Sequence, residues 1–99
     1  MSLPLDSIYQ QIGNSVAGTL EAEWLKVEVL AEISPEVLSF EGYYYFGEPL
    51  ERRKFLVSRD TVKLFKQLHA RMSESPKGNW KRAKFEMQQD GTFDIKFAY

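Results

Sequence analysis

The sequence predicts a small α+β domain in which two helices cover one face of an antiparallel-rich, five-stranded sheet. Three observations predict it. Apolar residues recur every three or four positions in two segments, they alternate in five others, and turn residues separate the segments. The predicted element order is αβββαββ. With 99 residues, the chain is expected to form one domain over residues 1–99, because a second module would leave neither part enough core.

Both predicted helices carry one apolar stripe. The first spans about residues 4–20, and its stripe consists of Leu5, Ile8, Ile12, Val16 and Leu20. The second spans about residues 61–74, and its stripe consists of Val62, Phe65, Leu68 and Met72. Asp60 is the predicted N-cap of the second helix, since a carboxylate there accepts hydrogen bonds from free backbone N–H groups.

The first two strands are predicted at about residues 25–33 and 37–46, where apolar and polar residues alternate. A four-residue loop between them, residues 34–37, keeps apolar residues on one face by pairing Ile33 with Leu38. The same register puts Glu28 opposite Tyr43.

A third, short strand is predicted at about residues 53–58, through the apolar run Phe55-Leu56-Val57. The last two strands, about 80–88 and 92–98, form a hairpin around Gln89-Asp90-Gly91. A two-residue turn there would mix core and solvent faces. We therefore predict a three-residue loop with Gly91 in the left-handed region.

Composition excludes several classes of protein. The chain has no cysteine, which excludes disulfides and thiolate metal sites. Its first residues do not resemble a signal peptide, and no apolar run approaches the length of a membrane span, so we expect a cytoplasmic protein.

Charge is distributed unevenly along the chain. Residues 1–51 contain nine acidic residues and one basic residue, whereas residues 52–99 contain five acidic and twelve basic residues. One interpretation is that the chain binds a charged partner. The other is that the two halves interleave in space and neutralise each other.

No motif for catalysis, metal binding or cofactor binding is visible. His69 is the single histidine, and it lies beside the apolar stripe of the second helix, where a structural role is expected. Neither the spacings of metal ligands nor the glycine patterns of nucleotide sites occur. The sequence therefore predicts neither an enzyme nor a cofactor.

The sheet face without helices is the predicted binding surface. Trp24 and Trp80 are also placed on it by the alternation. Aromatic residues flanked by charges are typical of protein interfaces. The predicted contact residues for a partner protein are Glu28, Glu32, Glu41, Tyr43 and Tyr45.

Two other interpretations remain open. Trp80, Arg82 and Lys84 would suit a small nucleic-acid-binding module, although neighbouring carboxylates repel phosphate. Alternatively, two copies of the chain would pair through the open face or through a sheet edge.

Several segments together resemble the YezG-like immunity proteins. They are Ile8–Ile12, Glu23–Val27 with Ala31–Ile33, Leu38–Phe46, Leu64–Met72, Asn79–Phe85 and Asp90–Tyr99. The resemblance implies the antitoxin half of a bacterial toxin–immunity pair, which binds and neutralises a secreted toxin, commonly a nuclease. It implies no catalytic residue and no cofactor.

Overall fold

A computed structural model describes residues 5–20, 23–74 and 78–99. The predicted order αβββαββ is confirmed. The elements are α1 (Leu5–Thr19), β1 (Lys26–Ile33), β2 (Leu38–Phe46), β3 (Glu51–Phe55), α2 (Arg59–Met72), β4 (Arg82–Gln88) and β5 (Phe93–Ala98). Pro4 of the predicted first helix, and residues 75–77 of the loop after the second, lie outside the described residues.

The five strands form one sheet in the order β3-β2-β1-β4-β5, and every neighbouring pair is antiparallel. The predicted register of the first hairpin is confirmed, with Ile33 paired to Leu38 and Glu28 to Tyr43. β1 lies at the centre because β4 returns from the far end of the chain to pair with its free edge.

The hairpin between β4 and β5 also forms as predicted. Phe85 pairs with Ile95 and Met87 with Phe93, which keeps these apolar side chains on one face. The Gly91 N–H donates to the Gln88 carbonyl oxygen at 2.9 Å. Gly91 has φ +91°, the left-handed region where a residue without Cβ is favoured.

The hydrophobic core lies between the sheet and both helices. Its largest fully buried side chains are Trp80, Phe65, Phe85, Ile8, Ile12 and Leu68. Full burial of an aliphatic or Phe side chain contributes roughly 1.5–3 kcal/mol each. These contacts hold both helices on the same face, as the two apolar stripes predict.

The prediction that Asp60 caps the second helix is wrong. Ser58 is the N-cap, and its side-chain oxygen accepts the Thr61 N–H at 3.2 Å. Thr61 is buried and also exchanges a 2.7 Å hydroxyl hydrogen bond with Ser15 of α1. Asp60 instead lies in the first turn, where its charge favours the positive end of the helix dipole.

The predicted bounds of the third strand are also wrong. β3 covers Glu51–Phe55, so it begins and ends earlier than predicted and contains Arg52, Arg53 and Lys54. The apolar residues after Phe55 led to the prediction that the strand continues to residue 58. In the structure Val57 packs against the core, and Leu56 is 89% exposed. Pairing ends where Phe55 meets Gly42, and the chain then turns to enter α2.

Candidate functional site

The sheet face opposite the helices, here called the open face, presents four rows of directly paired side chains. From one end of the sheet to the other, the rows are Arg52–Tyr45–Lys26–Gln88, Lys54–Tyr43–Glu28–Glu86–Asp94, Glu41–Leu30–Lys84–Lys96 and Ser39–Glu32–Arg82–Ala98. No helix of the described residues covers these rows, and all five predicted contact residues lie on them.

The two tyrosines of the open face are half-buried and held at both ends. The Tyr43 hydroxyl donates to Glu41 Oε2 at 3.0 Å, and the Tyr45 hydroxyl donates to Glu28 Oε2 at 3.3 Å. The Arg52 guanidinium lies 4.6 Å from the centre of the Tyr43 ring. Lys26 Nζ lies 5.0 Å from the centre of the Tyr45 ring, so both rings take part in cation–π contacts.

The hydrogen bond to Glu41 has an electrostatic consequence for Tyr43. It raises the pKa of the Tyr43 phenol, because only the protonated hydroxyl donates to the carboxylate. Tyr43 therefore remains a neutral donor, and its ring stays close to the position that Arg52 and Glu41 set.

Glu28 is the most enclosed of the predicted contact residues, with only 7% of its surface exposed. Its Oε2 accepts from Tyr45 and lies 3.8 Å from Lys26 Nζ and 4.0 Å from Lys84 Nζ. Two cations and a hydroxyl thus compensate a carboxylate taken out of water. Glu28 orients its neighbours and exposes little of its own charge.

Glu32 and Glu41 are more accessible. Glu32 Oε1 lies 3.5 Å from Arg82 Nε, with 37% of its side chain exposed. Glu41 makes no ion pair within the described part of the chain, and its Oε2 accepts the hydrogen bond of the Tyr43 hydroxyl. Of the predicted carboxylates, Glu41 is therefore the one whose charge is available to a partner.

The sequence halves interleave on this face, as the second interpretation of the charge distribution predicts, while binding of a charged partner stays a prediction. Acidic β1 and β2 lie between basic β3 on one side and basic β4 on the other. Lys84 Nζ lies 2.9 Å from Glu86 Oε1. This hydrogen bond raises the pKa of Lys84 and lowers that of Glu86, because it favours the charged form of each. The open face is a mosaic of both signs.

Both tryptophans lie away from the open face, contrary to the prediction. Trp80 is fully buried, with its ring 5.4 Å from that of Phe97 in the core. β4 begins only at Arg82, so the alternation did not extend back to Trp80. Trp24 precedes β1 and packs against the core on the helix side. The nucleic-acid interpretation therefore loses Trp80, whereas Arg82 and Lys84 lie on the open face.

His69 occupies the predicted boundary position. Its Nε2 lies 2.8 Å from the Trp80 carbonyl oxygen and must carry the proton, since a carbonyl only accepts. Its ring meets the Trp80 indole edge-on, with centroids 4.8 Å apart. These contacts give His69 a structural role.

Arg52, Lys54 and Leu30 are part of the open face, but the sequence did not single them out. Arg52 and Lys54 pair directly with Tyr45 and Tyr43. The alternation of β3 carried this signal, but the strand had been placed two residues too late. The alternation of β1 puts Leu30 on this face, but the role of its side chain depends on the neighbouring strand β4.

Among the described residues, no group of three His, Asp or Glu side chains is arranged to hold a metal ion. Neither helix, over the same residues, is long and apolar enough to cross a membrane.

Comparison with known proteins bears on the family. The sequence profile of the family described as "Immunity protein YezG-like" matches residues 5–62, more than half of the chain. The chain belongs to the YezG-like immunity protein family. The matched segment of this immunity protein contains α1, β1, β2 and β3, and with them all five predicted contact residues. No curated protein matches the chain.

The match ends at residue 62, shortly after α2 begins. The resemblance noted for the rest of α2 and for the closing hairpin lies beyond it and stays a prediction. In the fold, β4 completes the sheet beside β1, which belongs to the matched segment.

Proposed function

We propose that this protein binds one cognate toxin stoichiometrically through its open face and thereby blocks the toxin's activity. Membership of the immunity protein family is the observation that carries the proposal. The helices cover one face of the sheet, and the matched segment supplies the two tyrosines of the other. An exposed aromatic surface on a rigid sheet is a suitable platform for a protein partner.

Tyr43 and Tyr45 are the proposed anchors of the interface. Each ring is already fixed by a hydroxyl hydrogen bond and a cation–π contact. A side chain ordered before binding loses less conformational entropy on association. The two rings therefore bury apolar area on binding with little further loss of conformational entropy.

The three carboxylates have different proposed roles. Glu41, which makes no ion pair with another described residue, attracts basic groups of the toxin and favours the correct orientation, whereas Glu32 orients Arg82 through their ion pair. Glu28, enclosed by Lys26, Lys84 and Tyr45, keeps the Tyr45 ring in place. A nuclease toxin suits this arrangement, because its substrate groove must carry basic side chains that bind phosphate.

Single substitutions on the open face test the proposal. We expect Tyr43→Ala and Tyr45→Ala each to weaken toxin binding by roughly tenfold or more, mostly through faster dissociation. Glu41→Lys should mainly slow association. The measurement is kinetic binding to the cognate toxin domain, to be sought in the neighbouring reading frame, paired with protection of cells that express that domain.

Leu56→Ala is the matched control, because Leu56 is exposed but lies outside the sheet. It should bind and protect like the parent. If both tyrosine variants also protect fully, the open face is not the contact surface. Cleavage of DNA and RNA by the isolated toxin tests the nuclease assignment separately, and light scattering of the free protein tests self-pairing.

A further inference from the structure

A hollow of about 400 Å³ opens on the open face, where β1 ends and β4 begins. Its floor is the half-buried side chain of Leu30, the large aliphatic residue of the four rows. The small residues Ser39 and Ala98 line it on opposite sides. They stand at the two ends of the row Ser39–Glu32–Arg82–Ala98, and the longer side chains of Glu32 and Arg82 lie between them.

The walls of the hollow are already stabilised by ion pairs. Arg82 Nε lies 3.5 Å from Glu32 Oε1, and Lys84 Nζ lies 2.9 Å from Glu86 Oε1. Arg82, Glu32 and Lys84 line the hollow, whereas Glu86 lies outside the lining, so three lining side chains have partners within the protein before any ligand arrives. A preformed apolar hollow with a polar rim is the usual form of a binding site.

Two charged residues at the rim of the hollow make no ion pair with another described residue. Glu41 on β2 and Lys96 on β5 stand at opposite ends of the row that contains Leu30. Neither makes an ion pair with any other described residue, although Glu41 accepts the Tyr43 hydroxyl. Their strands are three inter-strand spacings apart, about 14 Å. The hollow thus has an acidic end, an apolar floor and a basic end.

We propose that this hollow receives an extended segment of the toxin carrying an apolar side chain flanked, two positions away on each side, by one basic and one acidic side chain. In an extended chain, residues two apart share a face, and residues four apart span about 13–14 Å. The apolar side chain covers Leu30, the basic one reaches Glu41 and the acidic one reaches Lys96. This inference rests on the proposed function and assigns the part of the toxin that the open face recognises.

The first test uses peptides and the ¹⁵N-labelled protein. The capped peptide Lys-Thr-Leu-Thr-Glu should shift the amide signals of Leu30 and its row, with a dissociation constant on the order of 1 mM. Replacing its Leu by Ser, or its Lys by Glu, should weaken binding by about tenfold. The reversed peptide is no control, because a segment running the other way presents the same charges. Shifts elsewhere, or equal affinity of all peptides, would overturn the proposal.

The second test fills the hollow. Ala98→Trp places a large ring in it, and Ser39→Trp fills it from the other side should the first variant not fold. Ala70→Trp, at an exposed position of α2, is the matched control. We expect the filled variants to lose peptide binding and to bind the toxin at least tenfold more weakly, while the control keeps both.

The two proposals fail in different ways. If a folded filled variant binds toxin like the parent while Tyr43→Ala does not, the hollow is not used, yet the open face still neutralises toxin. If neither the filled variant nor Tyr43→Ala changes toxin binding, while the parent protein still binds the peptide in the hollow, the proposed contact surface is wrong. The hollow then serves another ligand of the same chemistry.

Discussion

At the scale of single residues, the open face shows how neighbours decide what a carboxylate does. Glu28 and Glu41 are on adjacent strands, in neighbouring rows. Two lysines and a hydroxyl surround Glu28, so its charge is compensated within the protein. Glu41 has one hydroxyl partner and keeps its charge available. Sequence alone gave these residues the same role, because exposure depends on strands far away in the chain.

Asp90 gives a pH-dependent prediction. Its Oδ1 accepts the Thr92 N–H at 2.9 Å and the Thr92 hydroxyl at 2.7 Å. These hydrogen bonds hold the pKa of Asp90 below its ordinary value of 3.8. Because the folded-state pKa is the lower one, the stabilisation is complete above pH 3.8 and is lost as the pH falls through the folded value.

Asp90→Ala should therefore lower the melting temperature at neutral pH, and its deficit relative to the parent should shrink at about pH 2. Thermal unfolding followed by circular dichroism measures both. Asp94→Ala is the control, since Asp94 is an exposed carboxylate that lies within β5 and not in the turn. A deficit that stays constant with pH would contradict the assigned cause.

At the scale of elements, the edge hairpin of β2 and β3 depends on a close approach. A Cβ placed on Gly42 would lie 2.6 Å from Cζ of the Phe55 ring, which lies across the strand pair from it. Phe55 also contacts Tyr44, with ring centroids 6.4 Å apart. The ring of Phe55 thus uses the space that a glycine leaves, and it holds β3 against the sheet.

Gly42→Ala should destabilise the protein by about 1–2 kcal/mol, because the ring must move away from its packing position. In a Phe55→Ala background the same change should be neutral or slightly stabilising, since alanine is favoured over glycine in a strand. Urea denaturation of the four proteins gives the coupling energy. Equal effects in both backgrounds would show that the ring is not the obstacle.

The sequence determines the elements and two hairpin registers because alternation and turn residues are local signals. The loop at 34–37 and Gly91 each allow one register that keeps apolar residues together. Alternation does not specify which strands are neighbours, so the place of β4 beside β1 was not predictable. Trp80 was misplaced because its backbone precedes the strand. The hollow at Leu30 was not predictable either, because residues of β1 and β4 line it together.

At the scale of the whole molecule, stability and recognition occupy different sides of a slab measuring 44 × 29 × 21 Å. The helix side contains the buried aromatic and aliphatic side chains, with Phe65 and Phe40 in contact at a centroid distance of 5.9 Å. The open side contains half-buried tyrosines, the enclosed carboxylate of Glu28 and ion pairs between more exposed groups, and exposed ion pairs contribute little to stability. Substitutions on the two sides should therefore have separable effects.

Phe65→Ala should cost about 3–5 kcal/mol, because it empties a fully buried site between α2 and the sheet. In a domain of this size, that loss lowers the melting temperature by roughly 12 °C or more. Tyr45→Ala should change the melting temperature far less, although it weakens toxin binding. The pair is measured by thermal unfolding and by toxin binding at a temperature where both remain folded. Similar melting temperatures for the two variants would contradict the separation of stability on the helix side from recognition on the open face.

The pairing of β1 with β4 also affects how the protein is made. About fifty residues separate these two strands along the chain. A ribosome adding about 5–20 residues per second needs several seconds to synthesise that interval. Throughout it, the newly made hairpin of β1 and β2 exposes the bare backbone of β1 to other growing chains. Late arrival of the partner strand makes this brief stage of synthesis the one most vulnerable to aggregation.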